Sequence, residues 1–231
     1  MDSIYWDDYA QEKATYQMRL DTSHFVSMEF ILKKHKIGGS KRILDAGCGD
    51  GVYTPFLANF GKVFAADVSF VQANRLMKRG YPALQCDLHN SPFKEGTFSL
   101  IFCNQVIEHV DDPAGFMASL YGTLEKGGIL VVSTPNRLAP TRFLYLNFWH
   151  MVDKTHKREY TLKTARELAE QLSRLKDSKV ELHGHSSIGR GRIKYFWWKL
   201  IPKKLKDRLL YLIYRRPIFA AGFVFLLKKN N

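Results

Sequence analysis

Cysteine and long apolar runs are both scarce in this 231-residue chain. Its three cysteines, Cys48, Cys86 and Cys103, show no CxxC spacing and cannot all pair, which argues against a disulfide framework and against a structural zinc site. Buried, reduced thiols are the expectation. The longest apolar stretch, residues 218–227, falls far short of the roughly 20 residues that cross a bilayer as a helix. The opening residues alternate acids and aromatics and lack the basic and apolar regions of a secretory signal, so a cytoplasmic protein is predicted. No internal repeat or low-complexity linker breaks the chain. Acids are also in deficit: 22 Asp and Glu stand against 35 Lys and Arg, a net charge of +13. Such a field attracts nucleic acid, anionic membrane or acidic substrates.

What is present is the composition of a globular protein, with 45% hydrophobic and 25% charged residues, at a length ordinary for one α/β domain. Residues 1–36 read as a helical cover, with Phe25, Met28 and Leu32 sharing one face and Gly38-Gly39 ending it. From residue 41, short apolar strands alternate with helices, the pattern of a parallel sheet with crossover helices. Strands are expected at 42–45, 63–66, 83–86, 98–103, 129–133, near 179–182 and near 219–227. Helices are expected at 52–60, 70–79, 113–124 and 162–175, with a turn at Gly127-Gly128. The fold class is therefore α/β, a Rossmann-like doubly wound sheet of seven strands. The connection 134–160 is too long for an idle loop and is expected to carry function.

The segment ILDAGCGDG, 43–51, is a strand entering a glycine-rich turn, where backbone N–H groups can approach a ligand closely. Its G-x-G-x-G spacing is neither the dinucleotide fingerprint G-x-G-x-x-G nor a phosphate-cradling P-loop. Asp67 ends the second strand about 20 residues on, the position whose carboxylate accepts ribose hydroxyls of an adenosine cofactor. Ser69 is placed to cap the next helix, with Gln72 three residues on. Asp87 and Leu88 end the third strand, where an aspartate can accept from the adenine amine and a backbone can meet the ring edge. Asn104 and Gln105 end the fourth strand, facing the amino-acid part of such a cofactor. A lone glycine turn, or a lone aspartate after a strand, is usually structural. Four strand ends on one rim, in this order, point to a ligand at the carboxyl edge of the sheet.

These segments, together with AADVS at 65–69, CDLHNSPFKEGTFSLIFCNQVIEHVDDP at 86–113 and LEKGGILVVSTPN at 124–136, resemble the class I methyltransferases that use S-adenosylmethionine. Within them, the chain is similar to the branch of ubiquinone and menaquinone biosynthesis methyltransferases, strongly over about 40–136 and weakly elsewhere. The resemblance implies a seven-stranded sheet with an antiparallel last strand. It also implies that Asp45, Gly47, Cys48 and Gly49 line the methionine side, Asp67 and Val68 the ribose, Asp87 and Leu88 the adenine, and Asn104 the methionyl end. One domain is expected over 1–231, with a cover at 1–39, a cofactor core at 40–136 and an acceptor-side half at 137–231.

Two histidines are candidates for a catalytic base. His109 follows the fourth strand, where Glu108 either orients its ring or, with it, braces the following helix. His156 resembles a histidine that faces the acceptor pocket in many relatives, and is otherwise a solvated residue of a basic loop. Phe143, Tyr145, Phe148 and Trp149 suggest an apolar wall for the acceptor. Members of the quinone O-methyltransferase group carry a second acid, associated there with a divalent metal, where this chain has Gln105, so no required metal is predicted.

The segment 190–229 carries twelve Lys or Arg and one acid, Asp207, interleaved with aromatics, and its insertion at 190–216 is expected to be basic and aromatic. Leu205, Leu209 and Leu212 follow helical spacing beside Lys203, Lys204, Lys206 and Arg208, as in a helix at an anionic membrane surface. Such an apolar face can instead pack on the domain, and basic residues with aromatics also hold nucleic acid, which ranks below membrane here. The functional expectation is methylation, on oxygen, of a small or lipid-linked acceptor. The alternatives are an RNA or protein methyltransferase recruited by the basic tail, or a non-catalytic protein that binds the cofactor.

Overall fold

The computed structural model describes residues 3–12, 22–35, 40–139, 155–176, 178–185 and 200–230. Two helices, α1 (Ser3–Glu12) and α2 (Thr22–Lys34), precede the sheet. Then follow β1 (Ser40–Ala46), α3 (Thr54–Leu57), β2 (Gly61–Asp67), α4 (Phe70–Lys78), β3 (Ala83–Gln85), β4 (Phe98–Asn104), α5 (Pro113–Gly122) and β5 (Leu124–Pro135). The last elements are α6 (Leu162–Lys176), β6 (Val180–His185), α7 (Lys203–Arg215) and β7 (Gly222–Lys228). The expected apolar wall at Phe143, Tyr145, Phe148 and Trp149, and the insertion's residues 190–199, lie outside the described residues.

The seven strands form one sheet in the order β3-β2-β1-β4-β5-β7-β6. Strands β1 to β5 are parallel, and β7 runs antiparallel between β5 and β6. Strand order reverses between β1 and β4, which opens a crevice at their carboxyl ends. Both faces are covered, as near-continuous apolar strands require. On one face Phe116 and Leu120 of α5 and Leu172 of α6 pack on Leu44, Ile101, Leu130 and Phe225. On the other, Met28, Ile31 and Leu32 of α2 and Tyr214 of α7 pack on Ile43, Leu100, Val131 and Val224. Each such large side chain contributes about 1.5–3 kcal/mol by leaving water.

Two local expectations are corrected. The helix expected at 52–60 is one turn, Thr54–Leu57, because Asn59 and Phe60 close back on Phe56 and Leu57 with i to i−3 bonds and Gly61 already begins β2. Gly127 and Gly128 belong to β5 and not to a free turn, since Gly127 N–H donates to Lys229 O and Lys229 N–H donates to Gly128 O. A strand partner about a hundred residues away overrides the local turn signal.

Candidate active site

The glycine turn leaves β1 and is anchored to its neighbour: the N–H groups of Gly47 and Cys48 both donate to Ala66 O of β2. Gly47 has φ +69°, and a Cβ there would lie 2.4 Å from Val106 Cγ2, so a larger residue has neither the dihedral nor the space. Gly49, at φ +49°, differs: a Cβ there would meet nothing within 4 Å, so the turn opens onto the rim. Asp67, at the end of β2, takes Gly49 N–H on Oδ2 and Ser69 N–H on Oδ1, each at 2.9 Å. Burial raises its pKa, and the backbone N–H groups of Ser69, Gly49 and Val68 oppose the rise. Ser69 caps α4 as expected, its Oγ accepting from Gln72 N–H at 3.2 Å.

At the next strand ends, Asp87 caps a short 3₁₀ turn, Leu88–Asn90, by accepting from His89 N–H at 3.0 Å, and Leu88 is buried. Val68 O accepts from Gln85 Nε2 at 3.2 Å. Asn104 Oδ1 accepts from Ser133 Oγ at 2.5 Å, which turns its amide N–H groups away from β5. Gln105 takes φ +58°, the sole non-glycine with positive φ among the described residues, held there by Gln105 N–H to Ser133 O. The ends of β3, β2, β1 and β4 are adjacent, so Asp87, Asp67, Gly49 and Asn104 share one rim.

Asp45 lies beneath that rim, 3% exposed, with Oδ2 accepting from Thr54 Oγ1 at 2.7 Å. Desolvation pushes its pKa up to about 7, the Thr54 bond pulls it down, and the charge of Asp67 adds to the rise. A carboxyl whose folded pKa exceeds its unfolded value of about 3.9 favours the fold most below pH ~4 and loses that contribution as pH climbs toward 7. Asp45→Asn is therefore expected to flatten this fall, gaining roughly 2–4 kcal/mol relative to the parent between pH 4 and 8. Chemical denaturation at several pH values measures the difference directly. An unchanged pH slope would show that Asp45 ionises normally.

His109 and His156, 47 positions apart in sequence, meet edge to face at 4.8 Å between ring centroids. His109 Nδ1 lies 3.0 Å from both the carbonyl oxygen and the hydroxyl of Thr155; the tautomer that donates from Nδ1 to the carbonyl leaves the lone pair on Nε2. Thr155 thus holds that nitrogen of the ring. Glu108 is buried at 1% exposure and accepts on Oε2 from Thr134 Oγ1 at 3.0 Å, which fits the bracing role. Glu108, His156 and Tyr160 line a small cleft beside Arg137 and Arg158. Glu108, His109 and His156 also bring their ligating atoms within 4.8 Å of one another, a grouping with the composition of a metal site.

Three contributors escaped sequence reasoning: two side chains, and the contacts made by the expected N-terminal cover. Thr54 and Ser133 have no pattern that marks them. Helix α1 reaches the rim directly: Asp7 Oδ1 accepts from Ser69 Oγ at 2.5 Å and from Val71 N–H at 3.0 Å, and Trp6 meets the His109 ring at 5.2 Å. An acidic, aromatic N-terminal helix was the sole available hint.

Residues 14–175 match a family described as a methyltransferase domain. A ubiquinone biosynthesis O-methyltransferase of Xylella fastidiosa is 30% identical over 146 residues, 58% of this chain and 56% of that protein. A malonyl-[acyl-carrier protein] O-methyltransferase of Legionella pneumophila is 29% identical over 145 residues, 59% of this chain and 48% of that protein. The chain thus spans about half the length of the curated relatives it matches. In fold, it is similar to a SAM-dependent methyltransferase from Archaeoglobus fulgidus, with TM-score 0.62 at 14% identity, covering 96% of this chain and 99% of that one. The chain belongs to the class I S-adenosylmethionine-dependent methyltransferases.

Proposed function

We propose that this methyltransferase acts on an oxygen of a small amphipathic or lipid-linked acceptor at an anionic membrane surface. The observation that carries the acceptor half is the outward face of α7. The helix has two apolar stripes. Leu210, Ile213 and Tyr214 are buried against the sheet, while Leu205 and Leu212 stand 55% exposed with half-buried Leu209 between them. At 100° per residue, Lys204, Arg208 and Arg215 flank that outer stripe on one side and Lys206 on the other. The apolar face expected from Leu205, Leu209 and Leu212 therefore points away from the domain, and a different set of residues holds the helix down. No helix among the described residues is long and apolar enough to cross a membrane, so the proposed contact is with its surface. Two relatives named for O-methylation support oxygen as the nucleophile.

The rim fits the cofactor in two respects: the open space where Gly49 would carry a Cβ, and the acceptor carboxylate of Asp67 beside it. Bound S-adenosylmethionine supplies a methyl group activated by a positively charged sulfur. Asp67 and Val68 receive the ribose, each Asp67 oxygen keeping acceptor capacity beyond the backbone bond it makes. Asp87 and Leu88 receive the adenine. Asp45, Gly47, Cys48 and Gly49 border the methionine side, and the Asn104 amide donates to the methionyl carboxylate. His109, with its lone pair on Nε2, removes the acceptor's proton, and His156 closes the acceptor side of the pocket. Helix α1 excludes water from above. In this division residues 40–136 hold the cofactor and 137–231 the acceptor.

Flotation with phosphatidylcholine vesicles containing roughly one-third phosphatidylserine tests the membrane reading. The parent protein is expected to float and to be released by salt. Leu205→Asp/Leu212→Asp removes two leucines worth about 1.5–3 kcal/mol each at the interface, so partitioning falls at least ~30-fold. Both positions face solvent, so the variant folds. A parent protein that ignores vesicles but binds RNA with steep salt dependence would move recruitment to nucleic acid and sink this reading.

A further inference from the structure

On the face opposite α5 and α6, three elements that the cofactor rim does not use converge through their side chains. His35 follows α2, Glu181 and His183 share one face of β6 two residues apart, and Tyr214 sits on the buried side of α7. His183 Nε2 lies 3.0 Å from Glu181 Oε2 and 2.8 Å from the Tyr214 hydroxyl, and His35 Nε2 contacts the same hydroxyl. The His183 ring stacks on Tyr214 at 3.8 Å between centroids, which fixes its plane. Proton counting makes this arrangement tight. The Tyr214 hydroxyl has one proton for two imidazole nitrogens, and His183 Nε2, protonated or not, faces one carboxylate oxygen and one hydroxyl oxygen at once.

One ligating atom each from His35, Glu181 and His183 lies within 4.8 Å of the others. Two imidazoles and a carboxylate form a donor set that zinc and its neighbours in the transition series take, at about 2.0–2.2 Å per bond and hence about 3.3 Å between ligand atoms. The His183 to Glu181 separation of 3.0 Å is already near that spacing, so a small approach of His35 completes three corners. We propose that His35, Glu181 and His183 bind a divalent transition-metal ion of the zinc class, with the Tyr214 hydroxyl beside the fourth position. Lys179 Nζ, 3.3 Å from Glu181 Oε1, holds the other carboxylate oxygen and leaves Oε2 for the ion. Lys34, 5.5 Å from the Tyr214 ring centroid, opposes the added charge and moderates affinity. The ion ties the end of α2 to β6 next to Tyr214 of α7, and so, on the proposed membrane reading, joins the N-terminal cover to the sheet beside the membrane-facing helix.

The test uses the full chain, stripped of metal and titrated with cobalt(II) as a visible probe and zinc(II) for thermal shift. One equivalent of cobalt is expected to give d–d bands of a nitrogen- and oxygen-ligated site. Zinc at about a hundredfold excess over its Kd is expected to raise Tm by roughly 5–10 °C. Glu181→Gln, His183→Gln and His35→Gln, each checked by its melting transition without metal, are expected to weaken binding by about 100-fold or more. His156→Gln serves as the control for the grouping at the rim and leaves this binding intact. No bound cobalt in the parent overturns the proposal, and so does binding lost in His156→Gln but kept in His183→Gln.

Discussion

Asp67→Ala is expected to weaken binding of S-adenosylhomocysteine by about 100-fold or more in a calorimetric titration, in a protein that still melts cooperatively. Each ribose hydroxyl bonded to a carboxylate is worth roughly 1.5–3 kcal/mol, so losing two costs about 3–6 kcal/mol of affinity. The same carboxylate orders the rim by taking Gly49 N–H and Ser69 N–H, so part of the loss arises from a loosened turn. Asp67→Asn separates the two effects: it keeps an acceptor for one backbone donor and is expected to lose less. Gly49→Val attacks the site from the other wall, placing a branched side chain in the open space and demanding φ +49° of a residue that resists it. NAD, titrated in parallel, is expected not to bind. Parental affinity in either Asp67→Ala or Gly49→Val would refute this cofactor site.

Gly222→Val is expected to lower Tm by roughly 6–12 °C, corresponding to about 3 kcal/mol. Gly222 begins β7 and pairs with Pro135 of β5 on one side and His185 of β6 on the other. A Cβ there would stand 2.1 Å from His185 Nε2 and 2.6 Å from Thr134 O. The imidazole can turn aside, but the carbonyl belongs to a strand fixed along its whole length, so the backbone must shift. An unchanged melting temperature would mean that the joint between the two halves of the sheet is softer than its geometry implies.

Much of this molecule is legible in its sequence, for physical reasons that also mark where legibility stops. Each parallel strand is a short apolar run bounded by polar or glycine residues, and the carboxylates that end β2 and β3 stand where the run stops. Ser69 announces its cap because the cap is a local bond. The length of α3 and the pairing of Gly127 and Gly128 depend on partners remote in sequence. Periodicity on α7 displays apolar residues nearly all round, Leu205, Leu209 and Leu212 with Leu210 and Ile213, and cannot say which of them the sheet covers. His109 and His156 are recognisable one by one, but their contact, and the docking of Trp6 and Asp7 beside them, exist in the folded state alone. The meeting of His35, Glu181, His183 and Tyr214 draws on three separate elements and leaves no spacing to detect.

Strand β7 has a further consequence for how the sheet is assembled. Val132 and Phe225 are direct partners although 93 positions separate them, and among the described residues β6 has no strand neighbour besides β7. Closing a loop of that length costs conformational entropy before any pairing repays it, so this step belongs late on the folding path. Until it occurs, β5 presents an open edge of alternating N–H and C=O groups backed by Leu130 and Val132, and β6 is unsupported. A nascent or partly unfolded chain is therefore most prone to self-association along that edge. The interior placement of the last strand makes the sheet assemble in two stages: β1 to β5 can pair early, but β6 has no sheet to join until the final apolar segment slides between its two partners.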